Sequence, residues 1–500
     1  MNASPNPHDP TALDRETLVV CGVVMLGGVM SILDMTVVNV ALDALATDFN
    51  ASLTTIQWVI TAYTLALAAV IPITGWASDR FGSKRIFICA TAAFTLGSVL
   101  CALAWSPGSL IAFRVIQGLG GGMVLPVVTT IVTKKAGPQR RGRVMGILGV
   151  PFLAAPILGP IVGGWLVDSI SWRAVFFVNL PVGIVTILLA QIVLERDRPQ
   201  PAHRLDWLGM VLLSPGLALL IFGFAESPAH GFAATRTWLP IAAGATLIAA
   251  FFVHSWRDGD PLIDVKTFVH TRAGAAAATL LLLATSLFGT LLLIPVYFQV
   301  VRGTSALESG LLLIPQGFGA MAMMPLAGWL TDRFGPYRLP VFAVPLLIAG
   351  TAPFALVTDT TSFTLLCGFN LVLGLGMGLG FMPTMTSAVQ AVPERAIART
   401  STAMSVIDQS GASIGAAILS VLLAGAIAAA IPGAAGGLDA LGHLSGARRA
   451  AFSGELSEAF ATTFLWALGV LVLTMIPALM LARGKGPQRA SRLATEPESA

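Results

Sequence analysis

GWASDRFGSKR occupies residues 75–85, and GWLTDRFGPYR occupies residues 328–338. Gly, Trp, Asp, Arg, Phe, Gly and the final Arg coincide, seven of eleven positions at one offset of 253 residues. Pro72 and Pro325 match at the same offset. Such agreement implies that one bundle has been duplicated. Parallel repeats about an axis along the membrane normal are one of the architectures of transporters.

The composition around these loops is that of a membrane protein. Of 500 residues, 55% are apolar and 11% charged, against roughly 25% charged in an ordinary globular protein. Mean hydropathy is +0.82. So few charges cannot clothe a water-facing surface, so most of the surface faces lipid and nucleic acid is not a partner. The cysteines, Cys21, Cys89, Cys101 and Cys367, all fall inside apolar runs. That pattern excludes a disulfide scaffold, and no Cys/His spacing marks a metal site.

A spanning helix needs ~20 mostly apolar residues. Fourteen such runs are expected: six over 18–194, two over 207–256 and six over 274–482. The fold class is therefore all-α integral membrane protein, with two six-helix bundles and two additional helices between them. The inserted pair accounts for the repeat offset and preserves the orientation of the second bundle. Thr54-Thr55-Ile56-Gln57 and Ser305-Ala306-Leu307-Glu308 read as capping boxes at helix starts. With a cytoplasmic amino terminus, 23 of the 29 Lys and Arg lie in cytoplasmic tails and loops. Only Arg173, Arg236, Arg302, Arg448 and Arg449 lie outside. The positive-inside rule thus places both termini in the cytoplasm. The first 17 residues lack a cleavage site and read as no signal peptide. The longest water-exposed stretch, near 431–459, is Ala/Gly-rich and too short for a soluble enzyme domain. Arg outnumbers Lys 24 to 5, the mark of a GC-rich bacterial genome.

Several motifs, in order along the chain, resemble those of the major facilitator superfamily, in its fourteen-span drug:proton antiporter branch. The Gly75–Arg85 loop resembles the superfamily signature, with Gly75, Asp79, Arg80, Gly82 and Arg85 at its defining positions. Asp332 and Arg333 fill the corresponding places of the second copy. Leu33-Asp34-Met35-Thr36 through Leu42 resembles the first-span signature, with Asp43 where that branch carries Pro. Arg114-Val115-Ile116-Gln117-Gly118 resembles the fourth-span motif. Gly159-Pro160-Ile161-Val162-Gly163-Gly164 resembles the fifth-span antiporter motif. Gln57-Trp58, Trp172-Arg173, Asn179-Leu180-Pro181-Val182-Gly183 and Tyr297-Phe298-Gln299 add to the likeness. The resemblance implies a monomeric exporter in the inner membrane, with signature loops that hold the cytoplasmic side closed and a fifth-span interface that opens and seals.

Of 25 acidic residues, only Asp34 and Asp408 lie deep in a span, and Arg114 is the only deep basic residue. An intramembrane charge costs at least ~2.5 kcal/mol on insertion scales, so a functional role is the default expectation. A purely structural ion pair is the alternative. Asp34 and Arg114 fall ~12 and ~9 Å below the outer surface at 1.5 Å per residue, so they can pair. Asp34 shares a stripe with Gly27, Ser31 and Ala41, and Arg114 with Gly118, Gly121 and Gly122. Small residues there let helices approach closely. Desolvation and the distance to Arg114 would tune proton affinity at Asp34, so a cationic substrate and a proton can exclude one another. Asp408 is open between a second proton site, a substrate contact and a hydrogen-bond acceptor. Gly159-Pro160, with Pro151 and Pro156, is expected to kink the fifth span. Trp58, Tyr63, Phe152, Tyr297, Phe298, Gln299 and Gln316 are candidates for the substrate cavity, where aromatics can stack on a lipophilic cation. Packing or an interfacial belt is the competing role. No nucleotide-binding loop of the Walker type is present, so no cofactor is expected and the proton gradient is the energy source. The function expected is proton-coupled export of hydrophobic or amphipathic compounds. The alternative is export of one endogenous lipid, siderophore or secondary metabolite.

Overall fold

The computed structural model describes residues 13–195, 204–269, 271–431 and 452–483. Arg448, Arg449 and most of the 431–459 stretch lie outside them. Among the described residues the chain is helical, with no strand. Its helices are α1 (Arg15–Val40), α2 (Leu42–Asp48), α3 (Leu53–Val70), α4 (Ile73–Phe81), α5 (Ser83–Ala102), α6 (Pro107–Ala136), α7 (Arg141–Ser169), α8 (Trp172–Phe177) and α9 (Asn179–Val193). Then follow α10 (Trp207–His230), α11 (Thr235–Arg257), α12 (Arg272–Val300), α13 (Ala306–Phe334), α14 (Leu339–Thr351), α15 (Phe363–Gln390), α16 (Ile397–Ala430) and α17 (Ser453–Arg483). Twelve stretches are long and apolar enough to cross a membrane, thirteen when bent α3–α4 counts as one, over the described residues.

Local chemistry sets the ends of these helices. Ser305 accepts from Glu308 N and Glu308 from Ser305 N, closing the expected box. The other expected box begins two residues earlier than read: Ser52 caps α3 by accepting from Thr55 N at 3.2 Å. Ser52 is the residue with extended backbone (ψ 147°), the geometry a cap requires. The two signature glycines, Gly82 and Gly335, both terminate a helix with positive φ, 90° and 83°. A side chain with a Cβ is strained there, which explains why the repeat keeps Gly at both. A 54° bend separates α3 from α4 at Ile71-Pro72. α7, by contrast, runs as one helix through Gly159-Pro160.

Two cores form. Val20, Val24, Phe87, Val127 and Val144 pack together among α1, α5, α6 and α7. Leu283, Tyr297, Phe298, Phe354, Phe460 and Phe464 pack among the helices after residue 272. α10 lies against α3 on one side and α16 on the other, while α11 packs on α10. Close approach at Gly216, Gly223 and Gly244 joins that pair.

Candidate functional site

Asp34 lies on the buried face of α1 and is 2% exposed. The glycines of α6 let the neighbouring helices close around it. A Cβ on Gly118 would strike the Tyr63 carbonyl oxygen at 2.6 Å, and one on Gly122 the Leu67 carbonyl oxygen at 2.5 Å. This proximity brings Arg114 Nε to the Val59 carbonyl oxygen at 3.1 Å. Arg114 Nη1 then donates to Asp34 Oδ2 at 2.5 Å and to Gln117 Oε1 at 2.7 Å. Asp34 Oδ1 accepts from Gln117 Nε2 at 2.8 Å and from Asn179 Nδ2 at 2.9 Å. Asn179 also reaches Ser98 Oγ at 3.0 Å, and Ser98 donates to the Phe176 carbonyl. The guanidinium stacks on Tyr63 at 4.0 Å from the ring centroid. A buried ion pair is favourable only when further hydrogen bonds support it, and here Arg114 Nε and Nη1 and both Asp34 oxygens are engaged.

Gln117, Asn179 and Ser98 had no assigned role in the sequence. The first two stand inside the quoted fourth-span and Asn179–Gly183 motifs, which was the available signal. Ser98 carried none.

Asp408 lies apart from this network. It is half-buried on α16, and its Oδ1 is enclosed without a hydrogen-bond partner among the described residues. Gly411 and Gly415 on the same helix press against α12 at Ala284 and Thr285.

The signature loops meet the other repeat's helices at one end of the molecule. Gly75 lies against α16, where a Cβ would meet Arg399 Cα at 3.0 Å. Asp79 Oδ2 is 3.7 Å from Arg399 Nε. In the second copy, Gly328 lies against Gly142 and Arg143 of α7. Asp332 accepts from Gly142 N at 2.8 Å and Arg143 N at 2.9 Å. A carboxylate at a helix amino terminus meets unsatisfied N–H groups and the positive end of the dipole. The duplicated Asp thus makes a duplicated clasp. Arg80 is half-buried and Arg85 exposed. Arg333 lies on the Trp329 ring at 5.1 Å.

The glycines of α7 change partner along its length. Gly142, Gly146 and Gly149, at the clasped end, approach Thr331, Met324 and Gly328 of α13. Gly159 and Gly163, at the other end, approach Thr36 and Val37 of α1, and Gly164 lies 4.0 Å from Val40. Pro160 is exposed. Among these glycines, those of the first turns of α7 meet helices after residue 272, and those near its far end meet α1.

The cavity candidates are scattered. Trp58 is 40% exposed and meets Phe222 of α10 at 5.8 Å. Phe152 is half-buried against Gly28. Gln299 is exposed. Gln316 is buried with its Nε2 3.3 Å from Met377 sulfur. Tyr63 belongs to the Arg114 network rather than to an open surface. Tyr297 and Phe298 lie in the second core, with the Tyr297 hydroxyl on the Thr358 carbonyl at 2.7 Å.

Membrane-length helices, matching contacts at both signature loops and a buried charge network together describe a helical membrane protein built from a repeated unit. The family model described as Major Facilitator Superfamily matches residues 24–416, and the chain belongs to that family. It is accordingly a membrane transporter, not an enzyme. A multidrug resistance protein B homolog of Mycobacterium tuberculosis (strain ATCC 25618 / H37Rv) is 42% identical, over 97% of this chain and 93% of that protein. The tetracenomycin C resistance and export protein of Streptomyces glaucescens is 31% identical, over 82% of this chain and 76% of the relative. Among solved structures, the proton:xylose symporter XylE superposes with a TM-score of 0.63 at 15% identity, covering 95% of this chain and 98% of that one. That likeness shows the fold alone.

Proposed function

We propose that this transporter exports hydrophobic or amphipathic compounds, often cationic, in exchange for protons across a bacterial inner membrane. The observation that carries the reading is Asp34, enclosed among α1, α6 and α9 with both oxygens engaged by Arg114, Gln117 and Asn179. With both oxygens occupied in this way, a proton or a cationic substrate gains access to Asp34 only when the helices around it shift. Proton uptake is thereby tied to conformation. The proton gradient supplies the energy without a cofactor, and the chain acts as a monomer.

The topology belongs to the same proposal: fourteen crossings, bundles over 18–194 and 274–482, an inserted pair over 207–256, and both termini cytoplasmic. The 29 residues of α7 are long enough to supply a further crossing. The clasped end is then cytoplasmic, and the partner change of the α7 glycines describes an outward-facing state. Gly159, Pro160, Gly163 and Gly164 form the part of α7 that moves with α1. The relatives' names, a multidrug resistance protein B homolog and a tetracenomycin exporter, support drug efflux. The tetracenomycin relative also favours a second reading, export of one secondary metabolite.

Purified protein in proteoliposomes with an imposed pH gradient tests both. Ethidium-driven proton release that disappears in Asp34→Asn supports the first reading. Release driven by a single metabolite and by no other lipophilic cation supports the second. No proton movement with any substrate that is transported removes antiport.

A further inference from the structure

The segment that follows α11 is fastened to the inserted helices at several points. Asp206 caps α10 by accepting from Gly209 N at 2.7 Å, and accepts from Leu262 N at 3.0 Å. His254 Nε2 of α11 lies 2.8 Å from Asp206 Oδ1. Ser255 donates to the Ile263 carbonyl at 2.7 Å and accepts from Val265 N at 3.2 Å. Leu262, Ile263 and Val265 are buried in one cluster with Leu213, Leu217, Phe251 and Ala403. Residues 258–265 are therefore a stiff arm carried by α10 and α11.

The tip of the arm lies at the clasp. Arg399 Nη1 donates to Asp260 Oδ1 at 2.7 Å and to the Pro261 carbonyl oxygen at 3.1 Å. The Nε edge of the same guanidinium faces Asp79. A planar guanidinium presents separate edges to separate acceptors. Holding one edge fixes the rotamer in which the other edge meets its partner, and removes rotamer entropy the Asp79 contact would otherwise have to overcome.

We propose that Asp260 is a positioning residue of the gate. It holds Arg399 in the orientation that meets Asp79, and through it the inserted helix pair strengthens closure at the signature end. The proposal rests on the alternating-access reading above.

The test uses the full-length protein in nanodiscs, with Cys21, Cys89, Cys101 and Cys367 replaced by Ser or Ala. Spin labels go on the exposed positions Phe81 and Glu394, and a second pair on exposed Trp105 and Leu356 reports the other end. Asp260→Asn should lower the closed-to-open ratio at the signature end about three- to fivefold, the range of a partly exposed ion pair. Asp260→Glu should restore at least half of the shift. In an Asp79→Asn background, Asp260→Asn should add little, because the contact it orients is gone. A wild-type ratio in Asp260→Asn, or an undiminished shift in the Asp79→Asn background, overturns the positioning role. If Asp79→Asn itself leaves both label pairs unchanged, the two-state reading fails, an outcome distinct from failure of the arm alone.

Discussion

Asp34 and Asp408 are both acids within helices that cross the membrane, and they differ in how they are satisfied. Asp34 Oδ1 accepts from two side-chain amides and Oδ2 meets Arg114, whereas Asp408 Oδ1 is enclosed with no partner among the described residues. Removing one partner from a buried ion pair costs about 3–5 kcal/mol, because the other charge is stranded. Asp34→Asn is therefore expected to abolish proton-coupled efflux and also to lower thermal stability. Asp34→Asn combined with Arg114→Gln should be less destabilised than the two single losses added. Stability and substrate-induced proton release from the purified variants report both effects. Normal proton release from Asp34→Asn would take Asp34 out of coupling.

Asp408→Asn discriminates a second exchange site from a structural acceptor. As an exchange site, it should change the number of protons moved per substrate, more for divalent than for monovalent cations. Reversal potentials in proteoliposomes measure this ratio. An unaltered ratio for both charges would leave Asp34 as the sole carrier.

The twin clasps predict a graded response. Asp79→Ala and Asp332→Ala should each shift the population toward the state open at the signature end, and the double variant should shift it further than either. Each removes a carboxylate from a different junction, at Arg399 in one case and at Gly142 and Arg143 N–H in the other. Distances between labels across the two repeats give the populations. Unchanged distances with unchanged transport would leave the loops a role in topology only.

Two glycines of the α7 motif should behave oppositely. A Cβ at Gly159 runs into the Thr36 side chain, while at Gly164 the nearest atom is 4.0 Å away. Gly159→Ala should lose about 1–3 kcal/mol to overpacking and impair efflux. Gly164→Ala should be nearly silent. Equal effects in a melting assay and an efflux assay would show that α1 does not bear on α7 at Gly159.

Asp48 gives a pH prediction outside the spans. Its Oδ2 accepts from Trp172 Nε1 at 2.9 Å and from Arg173 Nη1 at 3.1 Å. The indole hydrogen bond, aided by Arg173, holds its carboxyl below the usual carboxylate value. A lowered folded-state pKa stabilises above the unfolded value and is lost as pH falls through the folded one. Asp48→Asn should thus melt lower than wild type at neutral pH, and the gap should narrow as pH falls below the ordinary Asp value of ~3.9 and close once the pH lies below the lowered folded-state value. A gap that persists in acid would assign the effect to something other than the charge.

The sequence by itself determined the class of protein, the duplication and the identity of the intramembrane charges. Each of these is written in local physics. Lipid excludes charge, so Asp34, Arg114 and Asp408 stand out in apolar runs, and a left-handed helix end demands Gly at 82 and 335 wherever the chain goes next. The Ser305–Glu308 box was legible because its partners lie one turn apart. Tertiary structure decided what those residues touch. Gln117, Asn179 and Ser98 are uncharged polar residues of a kind scattered through many spans, and only the packing of α5, α6 and α9 shows which ones face Asp34. Tyr63 and Tyr297 look alike as span aromatics, yet one lies under a guanidinium and the other in a core. The contacts of Asp79 and Asp260 with Arg399, and of Asp332 with α7, join residues more than a hundred positions apart. Their existence depends on how the repeats and the inserted pair are set against one another, which is a relation between surfaces and is carried by no single stretch of chain.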